Sequence, residues 1–333
     1  MDNHFKKRNH LLLIAILVGL FFVAGKANAL TISPVRLEIS GDPGQTLSEK
    51  MVLINENNAT ETFYSSFANF EAQGESGSPA FVEPKDDLGT WISTISTITL
   101  KGGESKTVPF TVTIPKNAEP GGHFATIFWG TGPNKPGEIA IGAKMGLLIL
   151  LSVNGDAKED TGFLNFNTVN KQFWYSTLPV SFEYRFRNDG GDRIKPQGPI
   201  TIRDTIFLPT KSLDANPSNG NILPGSTRKF QVDWINYTRA NDYVAPVGFF
   251  KKFWSDVSYQ WENFAVGLYS ARLNVAYGTS GEHAKGTVFF FVFPWQLVLV
   301  MVIVGFLVIW GGRKLIKRYN KFIIKRAHRL DIK

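Results

Sequence analysis

Apolar and polar residues alternate along much of the chain between Leu30 and Thr287. The alternating runs cover Val35–Ile39, Val108–Ile114, Val180–Phe186, Phe230–Trp234 and Tyr269–Tyr277. A strand with one buried face and one solvated face has this period of two. Turn-forming glycine, proline and asparagine residues separate the runs. The pattern therefore predicts a mainly β protein built from Ig-like β-sandwiches.

A short polar stretch, residues 155–161, divides this β-rich body into two parts of similar length. We predict one sandwich over residues 30–154, a linker over 155–161, and a second sandwich over 162–287. Each part is long enough to bury a core of its own. The large aromatic residues expected in these cores are Trp91 and Trp129 in the first, and Tyr184, Phe186 and Trp234 in the second.

One segment, Gly248–Phe264, has helical rather than alternating periodicity. Its apolar face comprises Phe250, Phe253, Trp254, Val257, Trp261 and Phe264. Lysine, serine and glutamate residues fall mostly on the other face, so we predict a short amphipathic helix. Two interpretations stay open: the aromatic face lies at a membrane interface, or it covers an open end of the second sandwich.

A long apolar run, Val288–Trp310, follows the second sandwich and is interrupted by Pro294, Gln296 and Gly305. It is long enough for a transmembrane helix over 288–310. Nine lysine and arginine residues follow in a basic tail over 311–333. Cationic flanks stay on the cytoplasmic side, and tryptophan favours the membrane interface. The predicted inside-orienting residues are Arg313, Lys314, Lys317 and Arg318, and the predicted interfacial tryptophans are Trp295 and Trp310.

The first 29 residues have the pattern of a secretory signal peptide. Lys6, Lys7 and Arg8 precede the apolar run Leu11–Ala24, and Ala27–Ala29 supplies a cleavage site before Leu30. An uncleaved anchor is the alternative. Either arrangement predicts an extracytoplasmic body held on a stalk and a cytoplasmic C-terminus. With the signal peptide removed, the chain is a single-pass protein of the cell membrane.

The formal charge of +8 and the pI of about 9.4 come from the two ends of the chain. Without the signal region and the tail, the body has a slight excess of acidic residues. This distribution excludes a nucleic-acid partner and points to the lipid bilayer as the partner of the basic segments. The chain has no cysteine, which favours a bacterial surface over a disulfide-rich secreted protein.

The body contains few candidate catalytic or metal-binding residues. His123 and His283 are its two histidines, and neither has metal-ligand spacing to other residues. The acidic runs Glu83–Asp87 and Asp156–Asp160 lack the alternating carboxylates of a calcium loop, so we expect solvated loops. No nucleophile elbow or phosphate-binding glycine loop is present. We predict neither a cofactor nor a catalytic site; a hydrolase site assembled from scattered carboxylates is the weakest alternative.

Several short motifs resemble those of a known family. In the first sandwich they are Ile32–Arg36, Pro43–Gln45, Leu53–Asn58, Trp91–Ile92, Lys101–Ser105, Val112–Pro115 and Gly121–Phe124. This set resembles the N-terminal domain of bacterial WxL-interacting proteins and, more loosely, the first domain of periplasmic pilus chaperones. In the second sandwich, Arg187–Gly191, Pro196–Gly198 and Leu223–Trp234 resemble the membrane-proximal Ig-like domain of similar surface proteins. The resemblance implies that the first domain binds peptidoglycan and the second binds protein partners.

These observations predict a membrane-anchored binding or scaffolding protein that presents two Ig-like domains to cell-wall polymer or to other surface proteins. The alternative is a chaperone-like accessory factor for the assembly of surface proteins or pili. A free sheet edge in the first sandwich, able to accept a partner strand, would favour the accessory factor. A broad exposed patch without an open edge would favour adhesion or wall binding.

Overall fold

The computed structural model describes residues 30–132, 144–237, 246–278 and 281–330. Across these ranges the chain is mainly β, with an amphipathic helix late in the body and one long apolar helix at the C-terminal end. The predicted fold class is therefore confirmed. The predicted signal peptide, residues 1–29, lies outside the described residues.

The first sandwich consists of two sheets and a one-turn helix, α1 (Leu88–Trp91). The four-stranded sheet contains, in spatial order, β1 (Leu30–Ser33), β3 (Thr46–Asn55), β8 (Ser105–Thr113) and β6 (Ile92–Thr94). The six-stranded sheet contains, in spatial order, β2 (Arg36–Gly41), β10 (Lys144–Val153), β9 (Gly121–Gly130), β4 (Glu61–Gln73) and β5 (Ser78–Val82), with β7 (Thr97–Leu100) paired to β4. The chain changes sheets between β1 and β2, so its first strands contribute to both layers.

The first core fills the space between these sheets. Trp129 is fully buried in it, and Trp91 packs against it while partly exposed, as predicted. Inward residues of β10 alternate with outward ones: Leu147, Ile149 and Leu151 all belong to the core. The period of two in the sequence therefore produces the burial pattern of the sheet.

The second sandwich also consists of two sheets. The three-stranded sheet contains β11 (Thr161–Thr168), β13 (Val180–Asn188) and β16 (Ser226–Trp234). The five-stranded sheet contains, in spatial order, β12 (Trp174–Tyr175), β18 (Glu282–Val292), β17 (Gly267–Tyr277), β14 (Pro199–Arg203) and β15 (Pro209–Asp214). A 3₁₀ turn, Val169–Lys171, lies between β11 and β12. Tyr184, Phe186 and Trp234 belong to the core of this sandwich, as predicted.

Two helices complete the second part of the chain: α2 (Phe249–Glu262) and α3 (Trp295–Leu330). The described residues divide into two compact units. Residues up to 71 and residues 81–156 form the first unit, and residues 72–80 together with those from 157 onward form the second.

The predicted transmembrane helix, 288–310, starts too early, and its inner boundary stays a prediction. Residues up to Val292 continue β18, where Phe290 and Val292 are buried and Phe289 before them is half-exposed. The burial of Val288–Val292 alternates as in a strand, although every one of these five residues is apolar. Their pairing partner is β17. The helix begins at Trp295, after Pro294, and continues through Gly311 and Gly312 into the basic tail. The predicted stalk is also absent, because Phe293 and Pro294 are the whole connection between β18 and α3.

Burial of Tyr184 predicts a loss of stability in alkaline solution. Its hydroxyl donates a hydrogen bond to the Ala215 carbonyl oxygen at 2.8 Å, and burial raises the pKa of this phenol far above its ordinary value of 10.0. Burial likewise raises the pKa values of Tyr175 and Tyr269. Since only the unfolded state ionises near pH 10, the free energy of unfolding should be unaffected by these groups below that pH and fall steadily above it.

Denaturant titrations of the full chain at pH 7, 9 and 11 test this expectation. Tyr184→Phe should lower stability at pH 7 by ~1–3 kcal/mol, because the buried Ala215 carbonyl loses its donor, and should weaken the alkaline dependence. Tyr237→Phe, at a half-exposed position, is the control and should change neither quantity. An alkaline dependence unchanged by Tyr184→Phe would contradict this account.

Candidate functional site

The first candidate site is an incompletely paired edge of β10. On one side β10 pairs with β9 along its whole length, from Lys144↔Gly130 to Val153↔Gly121. On the other side β2 runs parallel to it but pairs only from Leu148 onward. The backbone N–H of Leu148 donates to the Val35 carbonyl oxygen at 3.0 Å, where this ladder begins. Within the described residues, no strand pairs with Met145–Leu147 on that side.

The backbone direction points polar groups of β10 outward at this edge. The N–H groups of successive strand residues point to opposite sides, so Gly146 directs its N–H and C=O toward the same side as Leu148. Exposed strand edges of this kind are templates for pairing with a further chain. The edge therefore has the polar backbone groups that an added strand would need.

Apolar side chains flank the open edge. Leu147 is in the core, and Met145, on the same face at the strand end, is 42% exposed. On the opposite face the ring of Phe128 lies close to Gly146, where an added Cβ would be 2.9 Å from Phe128 Cε1. Phe81 packs on Phe128 with ring centroids 4.9 Å apart and is itself half-exposed. An added strand would find apolar surface on both of its faces.

The second candidate site is the aromatic surface of α2. Phe250, Trp254 and Trp261 form an exposed stripe, with 76%, 58% and 67% of their surface accessible. Val257, which belongs to the same apolar face, is buried, and so is Gln260 beside it. Of the other predicted interface residues, Phe253 is half-buried, and Phe264 is half-exposed just after the helix. The exposed stripe therefore does not cover the protein core, and its contact with lipid stays a prediction.

Helix α2 is joined to the first turn of α3. Gln260 Oε1 accepts a hydrogen bond from the Leu297 N–H at 2.9 Å, and its amide nitrogen donates to the Gln296 side chain. The first N–H groups of a helix have no partner within the helix, so Gln260 supplies one from outside. The ring of Phe253 lies 6.3 Å from that of Trp295. These contacts fix α2 beside the start of the apolar helix.

Helix α3 is long and apolar enough to be a candidate membrane span. Its segment Trp295–Ile323 is strongly apolar, and almost none of its most apolar part is buried within the protein. The predicted orienting residues Arg313, Lys314, Lys317 and Arg318 continue the helix, and Trp295 and Trp310 are about half-exposed. Lys314 Nζ lies 3.8 Å from the centroid of the Trp310 ring, a cation–π contact. The orienting and interfacial roles of these residues stay predictions.

The histidines take part in local contacts. His123, on β9, is bonded through Nδ1 to the Asp87 carboxylate and through Nε2 to the Glu119 carbonyl oxygen at 2.8 Å, and its ring is 4.8 Å from that of Trp91. His283 Nδ1 lies 3.1 Å from Asn274 Oδ1. Among the described residues, no group of three or more histidine, cysteine or acidic side chains could hold a metal ion.

Sequence reasoning named the α2 and α3 residues but missed the β10 edge. The one available signal was Gly146, which interrupts an otherwise apolar run. A glycine at this position predicts that another side chain lies close to the backbone. It does not predict how far β2 extends along β10.

No protein-family model and no curated protein matches the chain. Among solved structures, the class 5 fimbriae chaperone CfaA is 11% identical with a TM-score of 0.37, over 80% of this chain and 100% of that one. The CsuC–CsuE chaperone–tip adhesion subunit pre-assembly complex of Acinetobacter baumannii is 12% identical with a TM-score of 0.34, over 79% of this chain and 99% of that one. The Salmonella enterica SafA pilin in complex with the SafB chaperone is 9% identical with a TM-score of 0.34, over 80% of this chain and 98% of that one. At such identities and TM-scores, no residue role is carried from these proteins to this chain.

Proposed function

We propose that this chain is a membrane-anchored accessory protein that binds an extended segment of an exported partner protein at the open edge of β10. The observation that carries the proposal is the partial pairing of β10, whose first residues extend beyond the end of β2. An extended segment placed in line with β2 would continue the sheet. Main-chain hydrogen bonds would supply affinity, and alternate side chains would supply specificity.

The anchoring part of the proposal relies on α3 and the cations after it. With α3 across the bilayer, the cation-rich end stays in the cytoplasm and both sandwiches face outward. In this position the chain would hold surface or pilus subunits near their site of export. The role requires neither a catalytic residue nor a cofactor.

Display of the two sandwiches to cell-wall polymer is the other function that the sequence predicts, and it is the role that the WxL-interacting resemblance implies for the first domain. Wall binding through a broad exposed patch would not require the strand edge. A variant that blocks the edge therefore separates the two functions.

The test uses cross-linking of the full chain in its native membrane. Because the chain has no cysteine, Val35→Cys provides a single attachment point beside the open edge for a thiol-reactive photo-cross-linker. Met145→Lys puts a charge at the edge, and charged edge residues oppose strand addition. Ile95→Lys is the matched control, with 44% exposure against 42% for Met145. We expect adducts with exported proteins both in the chain that carries Val35→Cys alone and in the Ile95→Lys control. The adduct yield should fall several-fold in Met145→Lys.

Equal adduct yields in all three chains would overturn the proposal. Sedimentation of the same chains with purified cell wall provides the second measurement. Wall binding that is strong and unchanged by Met145→Lys, together with an absence of protein adducts, would establish display to the wall instead.

A further inference from the structure

We propose that the end of the second sandwich next to α3 is embedded at the outer boundary of the lipid bilayer, with the hairpin tip Ile206–Leu208 as its deepest part. The inference rests on the membrane anchoring proposed above and adds residues outside α2 and α3. We call this end the apolar rim; it comprises Phe173, Trp174, Ile206, Phe207, Leu208 and Leu268.

The sheet topology brings the apolar rim together at one place. β18 ends at Val292, two residues before α3, and Gly267 of β17 pairs with Val292. Along the same sheet, Arg203 of β14 pairs with Ser270, and Tyr175 of β12 pairs with Val292. The 204–208 loop beyond β14 therefore lies at the end of the sheet where α3 leaves it. Trp174 of β12 and Leu268 of β17 are each level with Phe291, one residue before that end, and Phe173 directly precedes Trp174. Thr205 Oγ1, at the hairpin tip, donates to the Leu268 carbonyl oxygen at 3.1 Å.

Large apolar side chains are exposed at this end of the sheet. Ile206 is 71% exposed, and Phe173, Trp174, Phe207, Leu208 and Leu268 are between 39% and 59% exposed. Single exposed apolar residues are common on protein surfaces, but neighbouring groups of them mark binding surfaces. Trp174 packs on Phe291, with ring centroids 4.5 Å apart, and Phe291 stacks on Phe293 just before α3. Because the rim lies at the end of the sheet from which the apolar helix starts, lipid is the occupant that its position favours.

The hairpin tip has its backbone satisfied from within, as a segment entering an apolar environment requires. Asp204 Oδ1 accepts hydrogen bonds from the N–H groups of Ile206 and Leu208, at 3.1 and 2.9 Å. The Phe207 N–H donates to the Asp204 carbonyl oxygen at 2.9 Å, and Arg203 Nη1 donates to the Phe207 carbonyl oxygen at 3.1 Å. Unpaired backbone groups are costly in hydrocarbon, and all three N–H groups of this tip are paired.

The tip also has a constrained shape. Phe207 has φ of 61°, a left-handed conformation that is unfavourable for an aromatic residue. The hydrogen bonds to Asp204 hold that conformation and direct three consecutive apolar side chains outward from one turn.

The length of α3 agrees with an embedded rim. Its charge-free part runs from Trp295 to Gly312. At ~1.5 Å per residue this part spans ~27 Å, slightly less than the ~30 Å of a hydrocarbon core. Apolar side chains of the rim, at the outer end of α3, would occupy the remaining depth.

The experiment measures lipid contact of single-cysteine chains, which the absence of native cysteine makes possible. The full chain with Phe207→Cys carries an environment-sensitive fluorophore and is reconstituted in phosphatidylcholine–phosphatidylglycerol vesicles. Leu164→Cys is the matched control: it is 53% exposed against 56% for Phe207, and it lies on β11, away from the rim. Val304→Cys, within α3, reports insertion of the span.

We expect a blue-shifted emission and strong quenching by nitroxide-bearing lipids at position 207, and neither at position 164. If position 304 is quenched by lipid while 207 behaves like 164, the rim lies in water and the proposal is overturned. Shielding of 207 that rises with the protein-to-lipid ratio and is not quenched by lipid would show a second copy of the chain on the rim and would also overturn it. Met145→Lys should leave all three signals unchanged, so this result is independent of partner binding.

Discussion

Replacing Trp234 by alanine is expected to lower the free energy of unfolding of the second sandwich by about 3–5 kcal/mol. Trp234 is 2% exposed and contacts the rings of Tyr269 and Phe290, with centroids 5.1 and 5.9 Å apart. Both neighbouring rings come from the opposite sheet, so a cavity here would remove contacts that join the two layers. Its indole nitrogen is buried without an acceptor among the described residues, which places the loss toward the lower part of the range.

Trp129→Ala is the matched substitution in the first core. Trp129 is also buried, and its indole nitrogen likewise lacks an acceptor among the described residues. Because the two tryptophans belong to separate hydrophobic clusters, each variant should move one of two unfolding transitions of the full chain in detergent. Denaturant unfolding followed by circular dichroism provides the measurement. Equal shifts of both transitions by either variant would mean that the chain unfolds as one unit.

The topology of the chain should give an all-or-none labelling result. Lys50→Cys, exposed on β3, should react with a membrane-impermeant maleimide in intact cells. Lys321→Cys, on α3 after the apolar segment, should react only once the cells are permeabilised. The reason is the run of cations after Trp310, which favours the cytoplasmic side. Labelling of Lys321→Cys in intact cells would contradict the predicted orientation.

The same assay tests whether the cations after Trp310 set the orientation of the chain. Changing Arg313, Lys314, Lys317 and Arg318 together to glutamine should raise the fraction of chains whose tail is labelled from outside. Changing Lys251 and Lys252 to glutamine removes charge from the body instead and is the control. We expect no change of orientation in that control, because these residues do not flank the apolar segment.

The sequence predicts most of the strands because a half-buried strand has its own local signature. The runs at Val108–Ile114 and Val180–Phe186 lie in β8 and β13, with their apolar residues inside. The same reasoning failed for Val288–Val292, where every position is apolar and the period of two is hidden. Pro294 was the local signal for a change of structure at that point, and the helix begins directly after it.

The candidate sites depend on contacts that a single sequence does not encode locally. The open part of β10 exists because Arg36–Gly41, far away in the sequence, stops pairing at Leu148. The position of the Ile206–Leu208 tip beside α3 follows from the pairing of β14 with β17, a partner from much later in the chain. By contrast, the helical face of α2 repeats within a few residues, which is why its aromatic residues could be named in advance.

The direct passage from β18 into α3 has a mechanical consequence. Two residues in extended conformation reach ~7 Å at most, so the connection can absorb almost no extension. A pull on the body directed away from the membrane would therefore load the β17–β18 ladder, which runs from Gly267↔Val292 to Tyr277↔Glu282. Antiparallel strands loaded along their axes resist by shearing many hydrogen bonds at once. We therefore expect tension on the second sandwich to reach α3 with little compliance.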